Sequence, residues 1–176
     1  EKKLFFAEFY KTFLKIGKRE LESRWSGLGE EVEEMLYEAF EDVLAIRLQN
    51  IALRTLIAEL HSYKQKGNLS GETSEQEYES FCKICGSREF FGHISETYPV
   101  LIRCLKECTE KTICYYEQVM RWVIEDRERL SCLFGKEKDL GSIVKVESGL
   151  SDSHHGGKEG LTLYFANGSQ ILLKPR

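Results

Sequence analysis

The spacing of apolar residues predicts that the greater part of the chain is helical. Apolar side chains recur mostly every three or four positions, as expected for one face of an amphipathic helix. In a first segment they are Leu4, Phe5, Phe9, Phe13 and Ile16. In a longer segment, residues 30–64, they are Val32, Met35, Leu36, Phe40, Val43, Leu44, Leu48, Ile51, Leu56 and Leu60. A stripe of this width favours a helix packed in a globular core, with a coiled-coil partner surface as the alternative.

Further helices are predicted beyond the long one. Residues 67–75 are rich in Gly, Asn and Ser and predict a loop, and helical spacing returns over residues 78–85. Pro99 suits the first turn of another helix, with Thr97 as its cap. The apolar pattern of that helix continues to about Leu133 and is compatible with an interruption on the way.

Beyond Gly135 and Gly141 the pattern becomes alternating, which is typical of strands. The predicted strands are residues 142–146, 161–166 and 169–174. Asn167-Gly168 separates the last two and predicts a two-residue type I′ turn, because both residue types tolerate a positive φ.

The predicted fold class is therefore α+β. A mostly helical region, residues 1–135, precedes a small antiparallel three-stranded sheet within residues 142–176. The third strand would end just before Arg176, and three strands alone rarely make a complete sheet. Since the chain also has no initiator methionine, we expect it to be a piece of a longer protein.

Composition excludes several classes of protein. The 176 residues suffice for one domain, or one domain and a small part of another, and a net charge of −4 gives no general affinity for nucleic acid. No apolar run is long enough for a membrane span or a signal-peptide core, since charged residues interrupt the longest ones. We therefore expect a cytoplasmic protein that binds neither nucleic acid nor membrane.

The six cysteines raise the question of a metal site. Cys82 and Cys85, together with Cys104 and Cys108, have spacings similar to the two halves of a zinc ribbon. Their helical surroundings instead favour thiols that serve as small packing residues, so no metal ligand is assigned. A zinc-binding module built on these four cysteines remains an alternative.

The segment with the clearest candidate chemistry runs from Gly149 to Lys174. It begins with the polar loop Gly149-Leu-Ser-Asp-Ser-His-His-Gly-Gly157, continues through two strands and ends with a single lysine, Lys174, on the return strand. A kinase-like small lobe holds the phosphates of ATP with the same order of loop, strand, turn and lysine. The predicted sheet thus resembles the start of such a lobe.

The same residues carry a more specific resemblance. Asp152-Ser-His154, a glycine, a strand, a turn and Lys174-Pro-Arg176 occur in the order and at the interval found in the dehydratase domain of the class II lanthipeptide synthetases. Upstream segments also resemble that domain in the expected order: Arg54-Thr-Leu-Ile-Ala-Glu-Leu60, Leu69-Ser-Gly-Glu-Thr73, and Tyr98-Pro-Val-Leu-Ile-Arg103. The likeness covers roughly the second two thirds of the chain.

The resemblance implies an enzyme that acts on a ribosomally made precursor peptide in the bacterial cytoplasm. The intact enzyme would phosphorylate Ser and Thr hydroxyls with ATP and Mg²⁺, then eliminate the phosphate to leave dehydroamino acids. Peptide cysteines would later add to these alkenes in a zinc-dependent cyclase domain outside this chain. The isolated chain would be inactive, because the large lobe with the catalytic loops would also lie elsewhere.

The resemblance assigns roles residue by residue. Lys174 would hold phosphate as a point charge. Asp152 would serve elimination or metal placement, because a carboxylate repels phosphate unless a cation compensates it. His154 would relay a proton to or from the departing phosphate. An exposed strand-end lysine and a solvated loop histidine are the plainer interpretations of two of these residues.

The nucleotide-binding loop is assigned Ser153, Gly156 and Gly157, since glycines let backbone N–H groups approach phosphate oxygens. A Gly-Gly hairpin turn would explain the same glycines. Ser151 and Glu159-Gly160 depart from the family pattern. A helical module that binds a peptide without catalysis is the other alternative to the dehydratase.

Overall fold

A computed structural model describes residues 4–26, 34–134, 139–148 and 158–174. The elements in these ranges are α1 Ala7–Ser26, α2 Glu34–Gln65, α3 Ser74–Cys85, α4 Arg88–Thr97, α5 Pro99–Glu125, α6 Arg127–Phe134, β1 Ile143–Ser148, β2 Leu161–Phe165 and β3 Gln170–Leu173. Helices precede a three-stranded antiparallel sheet, so the predicted α+β class is confirmed. The chain divides into two compact units, Glu1–Lys15 with Ala45–Thr109 and Ile16–Leu44 with Glu110–Arg176.

Aromatic side chains form the core of the first unit. Phe6, Phe81 and Phe90 are almost completely buried. Phe81 makes edge-to-face contacts with both other rings, with centroids 5.7 Å from that of Phe6 and 5.5 Å from that of Phe90. Phe9 adds a third edge-to-face contact, to Phe90 at 6.2 Å. Phe81 lies in α3, Phe90 in α4 and Phe9 in α1, and Phe6 directly precedes α1, so the aromatic cluster holds the three segments together.

A buried carboxylate connects two segments of the first unit. Glu59, 7% exposed, accepts a hydrogen bond of 2.7 Å from the Tyr98 hydroxyl, and its other oxygen lies 2.9 Å from His93 Nε2. The hydrogen bond to Glu59 raises the pKa of Tyr98. Two of the segments with family resemblance, those containing Glu59 and Tyr98, therefore meet in one hydrogen bond.

The third such segment forms the start of α3. Thr73 is its N-cap, and the threonine Oγ1 accepts from the Gln76 N–H at 3.3 Å. The Gln76 side chain in turn accepts from the Glu72 N–H at 2.7 Å, so two backbone donors that lack helical partners are satisfied reciprocally. This cap starts the helix at Ser74, four residues before the predicted start at residue 78.

The structure corrects the prediction that Thr97 caps the helix that begins at Pro99. Thr97 is instead the last residue of α4, a helix that the apolar pattern did not predict. Ser87 caps that helix, and its Oγ accepts from the Phe90 N–H at 3.1 Å. Pro99 does begin α5, and the interruption before Leu133 is confirmed between α5 and α6.

In the second unit, α1 and α2 approach closely at a glycine. A Cβ on Gly17 would lie 3.0 Å from a Leu44 side-chain atom and 3.1 Å from a Phe40 ring atom, so a larger residue would require these side chains to shift. Phe40 packs edge to face against Tyr116 of α5 at 5.5 Å. Trp25 is 1% exposed, and its ring centroid lies 4.5 Å from that of Tyr37.

Arg24 joins α1 to α5 by charge. Its guanidinium bonds to Glu110 at 2.8 Å and to Glu117 at 3.1 Å, as well as to Glu20 of its own helix. The hydrogen bond from Arg24 lowers the pKa of Glu110. Hydrogen bonds from Arg121 and then Arg24 lower the pKa of Glu117.

The strands pair in the order β1-β2-β3, all antiparallel. The predicted type I′ turn between β2 and β3 is wrong, because Phe6 is the one non-glycine residue with positive φ among the described residues. Of the two residues Asn167 and Gly168, only Gly168 has a positive φ, +83°. The Gly168 N–H donates to the Phe165 carbonyl. The Asn167 side chain accepts from the Ser169 N–H at 2.9 Å, which favours a three-residue connection ending in a left-handed glycine.

We expect Gly168→Ala to lower the free energy of unfolding by about 1 kcal/mol, because a Cβ strains the positive φ. No atom lies within 4 Å of the new Cβ, so the cost is confined to the backbone. Gly92→Ala in α4 is the matched control, since that site is equally open and lacks a positive φ. It should stabilise by up to about 1 kcal/mol. Urea unfolding followed by circular dichroism measures both, and an unchanged Gly168→Ala variant would contradict the turn geometry.

We expect the Arg24 cluster to make stability fall in acid. Carboxylates whose folded pKa is lowered stabilise above their unfolded pKa, near 4.5, and lose that contribution as the pH falls through the lower folded values. Arg24→Gln should therefore lower Tm at neutral pH and flatten its decline in acid. Arg103→Gln, which removes an exposed pair at 3.8 Å, should change neither. Parallel pH profiles of Tm for wild type and Arg24→Gln would refute this role.

Candidate functional site

Strand pairing brings three chain positions together at one end of the sheet. Ser148, the last residue of β1, pairs with Leu161, the first residue of β2, and Leu161 pairs with Leu173, the last residue of β3. Lys174 directly follows Leu173, and Lys158 lies just before β2. Both lysines are therefore placed at this end of the sheet by the backbone register.

Of the predicted site residues, the structure describes Lys174. The predicted residues Asp152, Ser153, His154, Gly156 and Gly157 lie outside the described residues. The described residues on either side of them are Ser148 and Lys158, at the same sheet end as Lys174. The roles assigned to the five loop residues stay predictions.

A cavity of about 420 Å³ opens beside Lys174 in the second unit. Its lining is mostly apolar, with two lysines, an aspartate and a glutamine. The residues are Gln118, Trp122, Val123, Asp126, Leu130, Lys158, Leu163, Ile171, Leu173 and Lys174. This volume and this mixture of apolar wall and few polar groups are typical of small-ligand sites.

One face of α5 supplies the wall opposite the sheet. Gln118 and Trp122 lie four residues apart on α5, and Asp126, directly after the end of α5, is four positions further on, so helical geometry places them on one side. On the sheet, Leu163 pairs with Ile171, and Leu173 lies two positions beyond Ile171 on the same face. Helix period and strand period thus turn both sets of side chains toward the cavity.

Two hydrogen bonds fasten the chain before β2 to α5. The Tyr115 hydroxyl, almost completely buried, donates to the Glu159 carbonyl. Lys158 Nζ donates to Gln118 Oε1 at 2.9 Å. Tyr115 and Gln118 lie about one helical turn apart on α5. They can therefore contact the neighbouring residues Glu159 and Lys158.

The lysine on the other face of the sheet is neutralised. Lys145 Nζ bonds to Glu147 at 2.5 Å, and Glu147 also accepts from the Tyr164 hydroxyl at 2.6 Å. The hydrogen bond from Lys145, followed by that from Tyr164, lowers the pKa of Glu147. By contrast, no carboxylate in the described part of the chain pairs with Lys158 or Lys174.

Two ammonium groups that have no carboxylate partner within the described ranges can hold an anion. A phosphate group accepts charge-assisted hydrogen bonds from lysine, and the partly enclosed cavity screens such bonds less than open water does. The apolar wall can contact the uncharged portion of the same ligand. The arrangement therefore suits a phosphate-bearing ligand.

The helices that carry the cysteines show no cluster of metal ligands among the described residues. Within the described ranges, no group of three or more His, Cys, Asp or Glu side chains is placed to hold a metal ion. Cys82 and Cys85 lie in α3, while Cys104 and Cys108 lie in α5. Burial raises the pKa of Cys85, which keeps its thiol protonated. The four-cysteine zinc module therefore receives no support from these helices.

Lys158, Gln118 and Trp122 line the cavity but were not predicted as site residues from the sequence. Lys158 directly follows the Gly156-Gly157 pair. A cation next to a predicted phosphate-binding loop could have indicated a site residue. Gln118 and Trp122 gave none, because a helix with polar and aromatic positions does not reveal which of them faces the sheet. Their part in the cavity follows from tertiary packing.

A family model described as Domain of unknown function (DUF4135) matches residues 98–176. The match begins at Tyr98 and includes α5, α6 and the three strands, and hence every residue that lines the cavity. No curated protein matches the chain. Among the described helices, none combines the length and apolar character that a membrane crossing requires.

We expect Tyr115→Phe to lower the free energy of unfolding by about 1 kcal/mol, because the partly buried Glu159 carbonyl would lose a donor. Tyr164→Phe removes a hydroxyl from the opposite face of the sheet. It should lower the free energy of unfolding by less, because the acceptor Glu147 still accepts a hydrogen bond from Lys145. Hydrogen exchange of the amides in β2 should quicken in Tyr115→Phe and stay nearly constant in Tyr164→Phe. Equal protection in the two variants would show that this hydroxyl does not anchor β2.

Proposed function

We propose that the chain is the opening portion of the dehydratase domain of a class II lanthipeptide synthetase. The enzyme phosphorylates Ser and Thr of a precursor peptide from ATP and then eliminates phosphate to give dehydroamino acids. Lys174 binds the transferred phosphate in this proposal. The observation that carries it is the pairing of Ser148, Leu161 and Leu173, which sets Lys174 at the sheet end from which the predicted phosphate loop departs.

Three further observations support the proposal. The strand order β1-β2-β3 with a lysine after the third strand agrees with the start of a kinase-like small lobe. Lys174 has no carboxylate partner among the described residues, which leaves its charge available to an anion. The matched family segment, residues 98–176, contains this whole arrangement.

The chemistry assigned to Lys174 is electrostatic. A hydroxyl is a poor leaving group, whereas a phosphate leaves readily when its charge is neutralised. The ammonium would neutralise charge on the phosphate in both steps, first during transfer and then during elimination. Mg²⁺ would supply further neutralisation, but the described residues offer no set of three or more carboxylate, histidine or cysteine ligands for it, so no step is assigned to it here.

The loop residues keep their proposed roles. Asp152 would serve elimination or metal placement, and His154 would move a proton to or from the departing phosphate. Ser153, Gly156 and Gly157 would approach the nucleotide phosphates through hydroxyl and backbone N–H groups. The partner is the precursor peptide, and the proposed location is the bacterial cytoplasm.

Replacing the proposed phosphate-binding lysine tests this function. In the intact synthetase, Lys174→Ala should reduce phosphorylation of the precursor peptide by about 10²-fold or more, because a preorganised charge on the reacting phosphate is lost. Mass spectrometry follows the gain of a phosphoryl group and the later loss of water. Lys145→Ala, which removes a neutralised lysine from the other face of the sheet, is the control and should remain active. Unchanged phosphorylation by Lys174→Ala would overturn the assignment.

A further inference from the structure

Lys158 is a second cation at the site assigned to Lys174. Both lysines line the same cavity, and neither pairs with a carboxylate among the described residues. Asp126 lines the cavity too, but its carboxylate lies 3.7 Å from Arg129. Because both lysines line this one cavity, an anion bound there could accept charge-assisted hydrogen bonds from both of them.

A packing role alone does not explain why residue 158 is charged. The Tyr115 hydroxyl already fastens the adjacent residue, Glu159, to α5. The acceptor for Lys158 is the neutral amide oxygen of Gln118, at 2.9 Å, so the contact orients the ammonium without cancelling its charge. A lysine ammonium carries three N–H donors, and this contact uses one of them.

We propose that Lys158 is a second phosphate-binding residue, oriented by Gln118, that acts on the same anion as Lys174. The inference rests on the proposed function for the identity of the anion as phosphate. The ligand class is a polyphosphate or phosphate ester, since adjacent phosphoryl groups provide acceptors for two separate ammonium groups. Gln118 is a positioning residue, because it acts through Lys158.

Titration of the full 176-residue chain with inorganic pyrophosphate at low salt, followed by calorimetry, tests the proposal. Lys158→Gln and Lys174→Gln should each weaken binding about tenfold, which is the loss of one charge-assisted contact. Lys158→Arg should keep most of the affinity, because it keeps the charge. Gln118→Leu should weaken binding less than Lys158→Gln, since the ammonium remains but is no longer oriented.

Lys145→Gln is the matched control, because it removes the same net charge from the same sheet without touching the cavity. It should bind pyrophosphate as the wild type does. Thermal melts of all variants separate lost binding from lost folding. Should Lys158→Gln fail to fold, Lys158→Met keeps the apolar stem and replaces it in the titration.

Wild-type affinity in Lys158→Gln, or equal loss in Lys158→Gln and Lys145→Gln, would overturn the proposal, as would absence of pyrophosphate binding by the wild-type chain. The outcome is separable from the proposed function. If Lys174→Ala leaves peptide phosphorylation unchanged while pyrophosphate binding requires both lysines, the proposed dehydratase function is refuted and the two-lysine site is supported. If phosphorylation needs Lys174 and pyrophosphate binding ignores Lys158, the reverse holds.

Discussion

Antiparallel pairing on both sides of β2 is the constraint on which the site depends. Because β2 pairs with β1 and with β3, the end of β1, the start of β2 and the end of β3 must lie side by side. Lys158 and Lys174, which are 16 positions apart by their residue numbers, thereby reach one cavity. A register slip of one residue would turn the apolar side chains of β2 away from α5 and separate the two lysines from that helix.

The lysines of the sheet differ in whether a carboxylate neutralises them. On one face, Lys145 is neutralised by Glu147, as is usual for a solvated surface. At the end of the sheet where β2 begins, Lys158 is held by a neutral amide, and Lys174 meets no carboxylate among the described residues. The same small sheet thus has a balanced face and a cationic rim, and the rim borders an apolar cavity suited to an anionic ligand.

Periodicity predicted the order of elements because each long helix and each strand turns one apolar face to a core. The pattern did not predict α4, whose ten residues are fixed by the Ser87 cap and by aromatic contacts of Phe90 that a short window does not reveal. It also misassigned the turn at Asn167, because Asn-Gly serves both two- and three-residue connections. The motif predicts Lys174, and that assignment stays a prediction, whereas the place of Lys158 at the cavity depends on a contact 40 residues away in the sequence. The Asp152 and His154 assignments stay predictions.

Whether Lys174 contacts a nucleotide phosphate is tested most directly by a crystal structure of the intact protein with Mg²⁺ and a non-hydrolysable ATP analogue. We expect a phosphate oxygen of the nucleotide to lie within hydrogen-bond distance of Lys174 Nζ, at the sheet end defined by Ser148 and Leu173. A nucleotide whose phosphates bind elsewhere, with Lys174 Nζ in solvent, would contradict it.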